Sequence, residues 1–442
     1  MKKTIALLLA AFAIASCSAP GPASSEGGSS SLPSSSTGES TTSETDSSST
    51  TESTEDLSPV TIRICGDVSS ASARFLQNKL ADFIAEKDYG FEASIAVTEL
   101  RDGDDGRNYD IFITSAETIR YQIALGYELE AVDPSFAEDE TYPLAKEFQI
   151  DGEYVCYPFL ASPSDVLYYD TSVFAENDLS TWNAMVARLA ASESGKKLAF
   201  YSAHNHFAYG WFRAAGAKTE GRLDEDGYLH DVTDSFDTLG LPAAKALSSF
   251  FASADWVMAY GVSYVDPGVD LAACLGGFWD YEDAQARFGE NLGIAPLPGY
   301  EVDDVSYPGV GWLNTSGLYI PKITNAKKKA VIHDIGKLMA SGDFQLAYAN
   351  ETLGRLPAAQ SAIDALSDHP FYQALIPQLG YAEFSYAYSI GQIQRRIDQL
   401  NHSILSTAGE ADEATLQGYL TTYHESVLDL DGKRMRGIGA VE

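Results

Sequence analysis

At 442 residues, with 63 Asp and Glu against 29 Lys and Arg and a formal charge of −34, the chain is too long for a single core and lacks the basic surface that nucleic acid or anionic lipid headgroups require. Its four cysteines are widely spaced and match no zinc motif, which excludes a disulfide-built scaffold and a zinc module.

The N-terminus carries Lys2 and Lys3, then the apolar stretch Ile5–Ala13, then small residues before Cys17. The apolar run is shorter than the roughly 20 residues of a membrane span. Ile14-Ala15-Ser16-Cys17 resembles the bacterial lipobox, which implies that residues 1–17 are a lipoprotein signal peptide. By that resemblance Cys17 is acylated and anchors the protein in the cell membrane on its extracytoplasmic face. Residues 18–58 are mostly Ser and Thr with no Lys or Arg. Such a segment cannot bury enough apolar surface to offset its ordering entropy, so a disordered tether is expected. No later stretch is apolar enough to cross a bilayer. The remaining 385 or so residues are expected to be soluble and to form two domains.

The globular part opens with a β-branched strand, Thr61–Cys65, broken by Gly66-Asp67. Phe75, Leu76, Leu80, Phe83 and Ile84 follow at helical spacing. Strands are expected at Glu92–Val97 and Tyr109–Ile113, and this alternation predicts a parallel α/β sheet with strand-end loops facing a cleft. Further along, a helix over Thr181–Ala191, a strand over Lys197–Tyr201 and helices over 205–215 and 241–254 repeat the pattern. Strands over Gly293–Pro298 and Leu318–Pro321, a helix over Ala330–Met339, and helices near 386–405 and 412–428 complete it. Cys65, Cys156 and Cys274 are odd in number, so at least one is unpaired within the chain; a bridge between Cys156 and Cys274 stays open.

The order of several segments resembles the family 1 extracellular solute-binding proteins, the group containing maltose-binding protein. Tyr109–Ile113 followed by Gly126–Glu130, Tyr157-Pro158 with Val166–Asp170, and Thr181-Trp182 are similar to successive family segments. So are Gly277-Phe278-Trp279, Leu292–Pro298, Gly311–Pro321, Lys327–Met339 and Gly354–Ala358. Ala184-Met185 and Ala272–Cys274 depart from the family pattern, and 216–240 has no clear counterpart. The resemblance implies an α/β fold of the type II periplasmic-binding-protein class, its two lobes joined by crossing hinge strands. One lobe would hold 59–162 and 306–356, the other 163–305 and 357–442. It also implies a monomer that captures a sugar in the cleft and hands it to the permease subunits of an ABC transporter.

A sugar site needs aromatic rings beneath the pyranose and planar polar groups at its rim. Trp279, after Gly276-Gly277, matches the family's cleft tryptophan, and Trp312 lies in a glycine-rich segment. Tyr209 and Trp211 sit on an expected helix, where core packing competes with ligand contact. Trp182 and Trp256 are assigned to packing. Asp67, Ser115 and Glu117 follow strands, where helix capping is the competing role. Ser162 lies at the proposed crossing and Arg355 at a Gly-Arg-Leu-Pro turn. His204 and His206 lack a suitably spaced third ligand, so no metal or cofactor is expected and His204 reads as a rim donor.

Three other classes compete. A glycoside hydrolase would use two of the many carboxylates, but no acidic residue stands in a catalytic motif, and Gly-x-Ser-x-Gly, Walker A and His-Glu-x-x-His are absent. The chain is therefore read as no enzyme. The same fold could take a polyamine or other non-sugar solute. A glycan-binding or adhesion lipoprotein would have no transport role.

Overall fold

A computed structural model describes residues 58–435 except Asp67, 101–105, Leu125, Asp151, 162–164, 201–204, Glu225, 254–255, Tyr260, Trp312, Asn314, Thr324 and 381–390. Cys17 and residues 18–57 lie outside the described residues. Among the described residues, no helix is long and apolar enough to cross a membrane.

The chain first builds β1 (Val60–Gly66), α1 (Ser70–Ala85), β2 (Ala93–Glu99), β3 (Ile111–Ser115) and α2 (Ala116–Ala124). In β1 the side chains of Val60, Ile62 and Ile64 are buried while Thr61 and Arg63 are exposed, the period-2 signature of a strand. Ser69 caps α1 by accepting from Ser72 N at 3.2 Å, and Leu76, Leu80 and Ile84 bury one stripe of it. Two short strands, β4 (Gln149–Ile150) and β5 (Glu153–Tyr154), precede β6 (Tyr157–Leu160).

Past β6 the chain enters a second sheet. It forms β7 (Asp165–Asp170), α3 (Trp182–Ser192), β8 (Lys197–Ala199), α4 (Asn205–Ala214) and the hairpin β9 (Thr219–Leu223) with β10 (Leu229–Asp234). There follow α5 (Phe236–Leu239), α6 (Leu241–Ala252), β11 (Trp256–Val257), β12 (Leu271–Gly277), α7 (Tyr281–Phe288) and β13 (Leu292–Ala295). A hairpin, β14 (Tyr300–Val302) with β15 (Val305–Tyr307), leads back to β16 (Ser316–Tyr319) in the first sheet. The last helices are α8 (Ala326–Ala340), α9 (Gly342–Thr352), α10 (Gln360–Ala365), α11 (Pro370–Leu375), α12 (Gly391–Ser406) and α13 (Glu413–Leu428). Trp256, expected at a helix-packing position, lies instead in β11, half-buried, its Nε1 donating to Phe251 O at 3.0 Å.

The first sheet has the order β2-β1-β3-β16-β6 and the second β11-β8-β12-β7-β13. Within each sheet one strand runs against its neighbours. β16 is antiparallel to β3 and β6, and β7 is antiparallel to β12 and β13. Each reversed strand is the one whose chain arrives from the other sheet. Strands built by helical crossovers run toward the shared edge, so a strand entering across that edge must run away from it. The C-terminal ends of β1, β2, β3 and β6 therefore line the edge of the first sheet, and those of β8, β11, β12 and β13 line the edge of the second.

Leu160 and Asp165 belong to different sheets, so this crossing spans at most about 18 Å when fully extended. A third link runs beside it: Ala161 N donates to Leu356 O at 2.7 Å and Ala358 N to Phe159 O at 3.2 Å. Along β7, Leu167 packs into one apolar cluster while Val166 and Tyr168 pack into another, so that strand is covered on both faces. Cys65, Cys156 and Cys274 are buried and none of them forms a disulfide. Segment 216–240, without a family counterpart in the sequence, forms the β9–β10 hairpin and α5.

Candidate functional site between the two sheets

β12 ends at Gly277, and a single turn, Phe278–Asp280, carries the chain into α7. Trp279 lies in that turn at the second sheet's edge and is 41 % exposed. Its indole folds back over Gly277, where a Cβ would come within 2.3–2.5 Å of the six-membered ring. Only glycine permits that close approach. The Phe278 ring meets the indole edge-on, 5.2 Å away at 73°.

Beneath the tryptophan, Asp280 is fully buried. Its carboxylate accepts from Ser263 N at 3.3 Å, Ser263 Oγ at 3.0 Å and Gly277 N at 3.3 Å. Burial pushes its carboxyl above the usual range, and these donors oppose that rise. A Cβ on Gly261 or Gly276 would lie 2.2 Å or 2.6 Å from Asp280 Oδ2, so both glycines make room for the carboxylate. Asp280 thus ties the 261–264 segment to the turn that bears Trp279. Sequence reasoning passed over it, although the glycines around it were the available signal. Met258 and Tyr264, both exposed, flank the same region in the sequence.

The first sheet's edge contributes Ser115 and Arg355. Ser115 Oγ accepts from Thr118 N at 3.1 Å and lies 3.0 Å from Thr118 Oγ1, so it caps α2. Arg355 Nη1 donates to Ser316 Oγ at 2.8 Å. Ser316 is the first residue of β16 and lies opposite Ser115 and Leu160, so this bond holds the guanidinium at the sheet edge beside the third link. Glu117 lies in the first turn of α2.

For Tyr209 and Trp211, where core packing competed with ligand contact, the structure shows core packing. Both are buried, at 2 % and 6 % exposure, within the second sheet's core. Trp211 stacks on Tyr300 at 5.1 Å and on Trp182 at 6.1 Å, and Tyr209 stacks on Phe236 at 6.2 Å. The apolar face of α4 packs inward against α6 and α12, and these rings ride on it. His206 lies in the first turn of α4. Asp67, Ser162, His204 and Trp312 lie outside the described residues. The segment leading to Trp312 presses on α4, since a Cβ on Gly210 would lie 2.1 Å from Val310 O.

A groove of about 420 Å³ separates α2 and β4 from β9, lined by Arg120, Ile123, Ile150, Gly221 and Arg222 among others. Arg120 Nη2 is committed to the carbonyls of Lys146, Glu147 and Gln149 at 3.3–3.4 Å.

Several solved structures share this fold. The maltodextrin-binding protein of L. casei BL23, without ligand, matches with a TM-score of 0.68 at 14 % identity, over 84 % of this chain and 99 % of that one. The cyclic α-maltosyl-1,6-maltose-binding protein of Arthrobacter globiformis matches with a TM-score of 0.66 at 17 % identity, over 84 % and 99 %. The maltose-binding periplasmic protein of Listeria monocytogenes, in complex with maltose, matches with a TM-score of 0.65 at 15 % identity, over 85 % and 98 %. Identity this low establishes the two-lobe α/β fold alone. No curated protein matches the chain by sequence. A family profile, however, matches residues 107–376, more than half of the chain, and the chain belongs to that family, the bacterial extracellular solute-binding proteins.

Proposed function

We propose that this protein captures a maltodextrin-like oligosaccharide outside the cytoplasmic membrane and delivers it to the permease of an ABC importer, without chemical turnover. The observation that carries this reading is Trp279, an exposed indole on a glycine platform at the edge where the strand ends of one sheet face those of the other. A pyranose has a flat C–H face that stacks on such a ring and a hydroxyl rim that needs planar polar donors. Arg355, held by Ser316, is a rim donor of that kind, Ser115 and Glu117 are further candidates at that sheet's edge, and the sequence adds Asp67, Ser162, His204 and Trp312 as candidates. The names of the fold's neighbours, which speak of maltodextrin, maltose and a cyclic maltosyl-maltose, support the choice of saccharide.

In this reading the lobes are 59–162 with 306–356 and 163–305 with 357–442. They close about the three links between the sheets, because the closed form binds the ligand better than the open one. Cys17 carries the lipid, residues 18–58 form the tether, and the permease recognises the closed form of a monomer.

Thermal unfolding against a panel of mono- and oligosaccharides and polyamines tests the proposal. Ligand bound only to the folded protein raises Tm with concentration. A rise with α-glucans is expected. No rise with any saccharide, or a rise with polyamines alone, overturns the sugar assignment. Release of free sugar from a chromogenic glycoside would overturn the absence of turnover.

A further inference from the structure

α13 packs against β10 and α5, and three ligand-type atoms converge there. Asp234 ends β10, Asp237 lies in α5, and His424 lies in α13. His424 Nδ1 is 3.1 Å from Asp234 Oδ2 and 3.5 Å from Asp237 Oδ1. One oxygen or nitrogen from each residue lies within 4.8 Å of the other two. Bonds of about 2.0–2.2 Å to a shared ion set neighbouring ligand atoms about 3–3.5 Å apart; the two distances to His424 already match that spacing, and the two carboxylate oxygens lie within 4.8 Å of each other.

The charge count points the same way. Among the described residues, neither aspartate has a lysine or arginine partner, and His424 is the only basic group paired with either. One ring nitrogen therefore serves two carboxylates, and a neutral imidazole offers it at most one proton. With the imidazole neutral, the trio holds two negative charges, and the Asp234 side chain is fully buried. Buried charges are normally paired or coordinated to metal.

Asp234 is also braced as a ligand would be. Its Oδ1 accepts from Thr219 Oγ1 at 2.5 Å, its Oδ2 accepts from Phe236 N at 3.0 Å, and the Thr219 hydroxyl lies 3.0 Å from Tyr423 Oη. Such outer contacts fix the orientation of a coordinating carboxylate. Asp237 and His424 are partly exposed, which leaves an entry path and room for water to complete the coordination.

We propose that Asp234, Asp237 and His424 bind one divalent ion of the borderline first-row type, Zn²⁺ in the first instance, pinning α13 to the β9–β10 hairpin and α5. An imidazole nitrogen with two carboxylates suits Zn²⁺ better than Ca²⁺ or Mg²⁺, which prefer all-oxygen shells.

The test uses the purified full chain, stripped with EDTA and titrated with ZnCl₂ by calorimetry and by thermal unfolding. One equivalent should bind and raise Tm by several degrees, EDTA should reverse the rise, and CaCl₂ at equal concentration should give none. His424→Gln and Asp237→Asn should keep the far-UV circular dichroism spectrum and lose the zinc response. A wild-type Tm that ignores zinc overturns the proposal and leaves an ion pair. A zinc response that survives in both variants also overturns it, by placing the ion on other surface carboxylates.

Discussion

Trp279 and Trp211 are equivalent as residue types and opposite in circumstance. The first lies on a strand-end turn with glycine beneath its ring, and the second is locked between Trp182 and Tyr300. Trp279→Ala should therefore weaken saccharide binding at least about tenfold, since losing a stacking ring costs on the order of 1.5 kcal/mol and each 1.4 kcal/mol is a factor of ten. Its Tm without ligand should stay within about a degree of the wild type, because exposed positions carry little stability. Calorimetric titration with a maltodextrin checks the first statement, and unchanged affinity would remove Trp279 from the site. Asp398, on α12, poses a different question. Its Oδ1 is buried with no hydrogen-bond partner among the described residues, and burial pushes its carboxyl up to about 6. The folded state thus resists ionisation more than the unfolded chain, whose aspartates titrate near 3.9. The penalty is absent below about pH 4, grows as pH climbs to about 6, and is complete above that. Asp398→Asn should accordingly raise Tm at pH 7.5 and leave it unchanged at pH 4. Equal effects at both pH values would contradict the burial account.

At the scale of elements, Gln345 of α9 joins the links between the sheets. It is fully buried. Its Nε2 donates to Pro158 O at 3.0 Å and to Met339 O and Ala340 O at 3.2 Å, while Oε1 accepts from Ala358 N and Ala359 N at 2.8 Å. One side chain thus holds β6, the C-terminus of α8 and the third link in register. Gln345→Ala should cost about 2–4 kcal/mol, because several buried backbone groups lose a partner that water cannot replace there. Urea unfolding measures this, and a loss below about 1 kcal/mol would mean the third link is held by other contacts. Gln345→Glu should recover little, since a carboxylate cannot donate to the three carbonyls.

Across the whole molecule the acidic excess matters more than any single ion pair. Residues 59–442 carry −29 of the formal charge of −34, which repels itself in the compact state, and the screening length shortens from about 30 Å at 0.01 M salt to about 10 Å at 0.1 M. Tm should therefore rise between 10 mM and 200 mM NaCl in the absence of divalent ions. A fall over that range would show that surface ion pairs such as Lys322–Glu128 and Lys337–Asp133 outweigh the general repulsion.

Local pattern was enough for much of the architecture. Alternating β-branched residues mark β1, apolar residues at helical spacing mark α1 and α8, and Thr181, whose Oγ1 accepts from Ala184 N at 3.2 Å, marks the start of α3. Strand–helix alternation already implied a parallel α/β sheet with strand-end loops facing a cleft, and the family resemblance of Gly277-Phe278-Trp279 already singled out Trp279. Periodicity tells which residues share a face, because that depends on the few residues around them. It cannot tell which faces meet. Whether an aromatic residue on α4 looks into a core or a cleft, that Ser316 holds Arg355, and that Asp234, Asp237 and His424 share one spot were decided only when distant segments packed together, because only packing sets burial, the local dielectric and the distance between groups far apart in the chain.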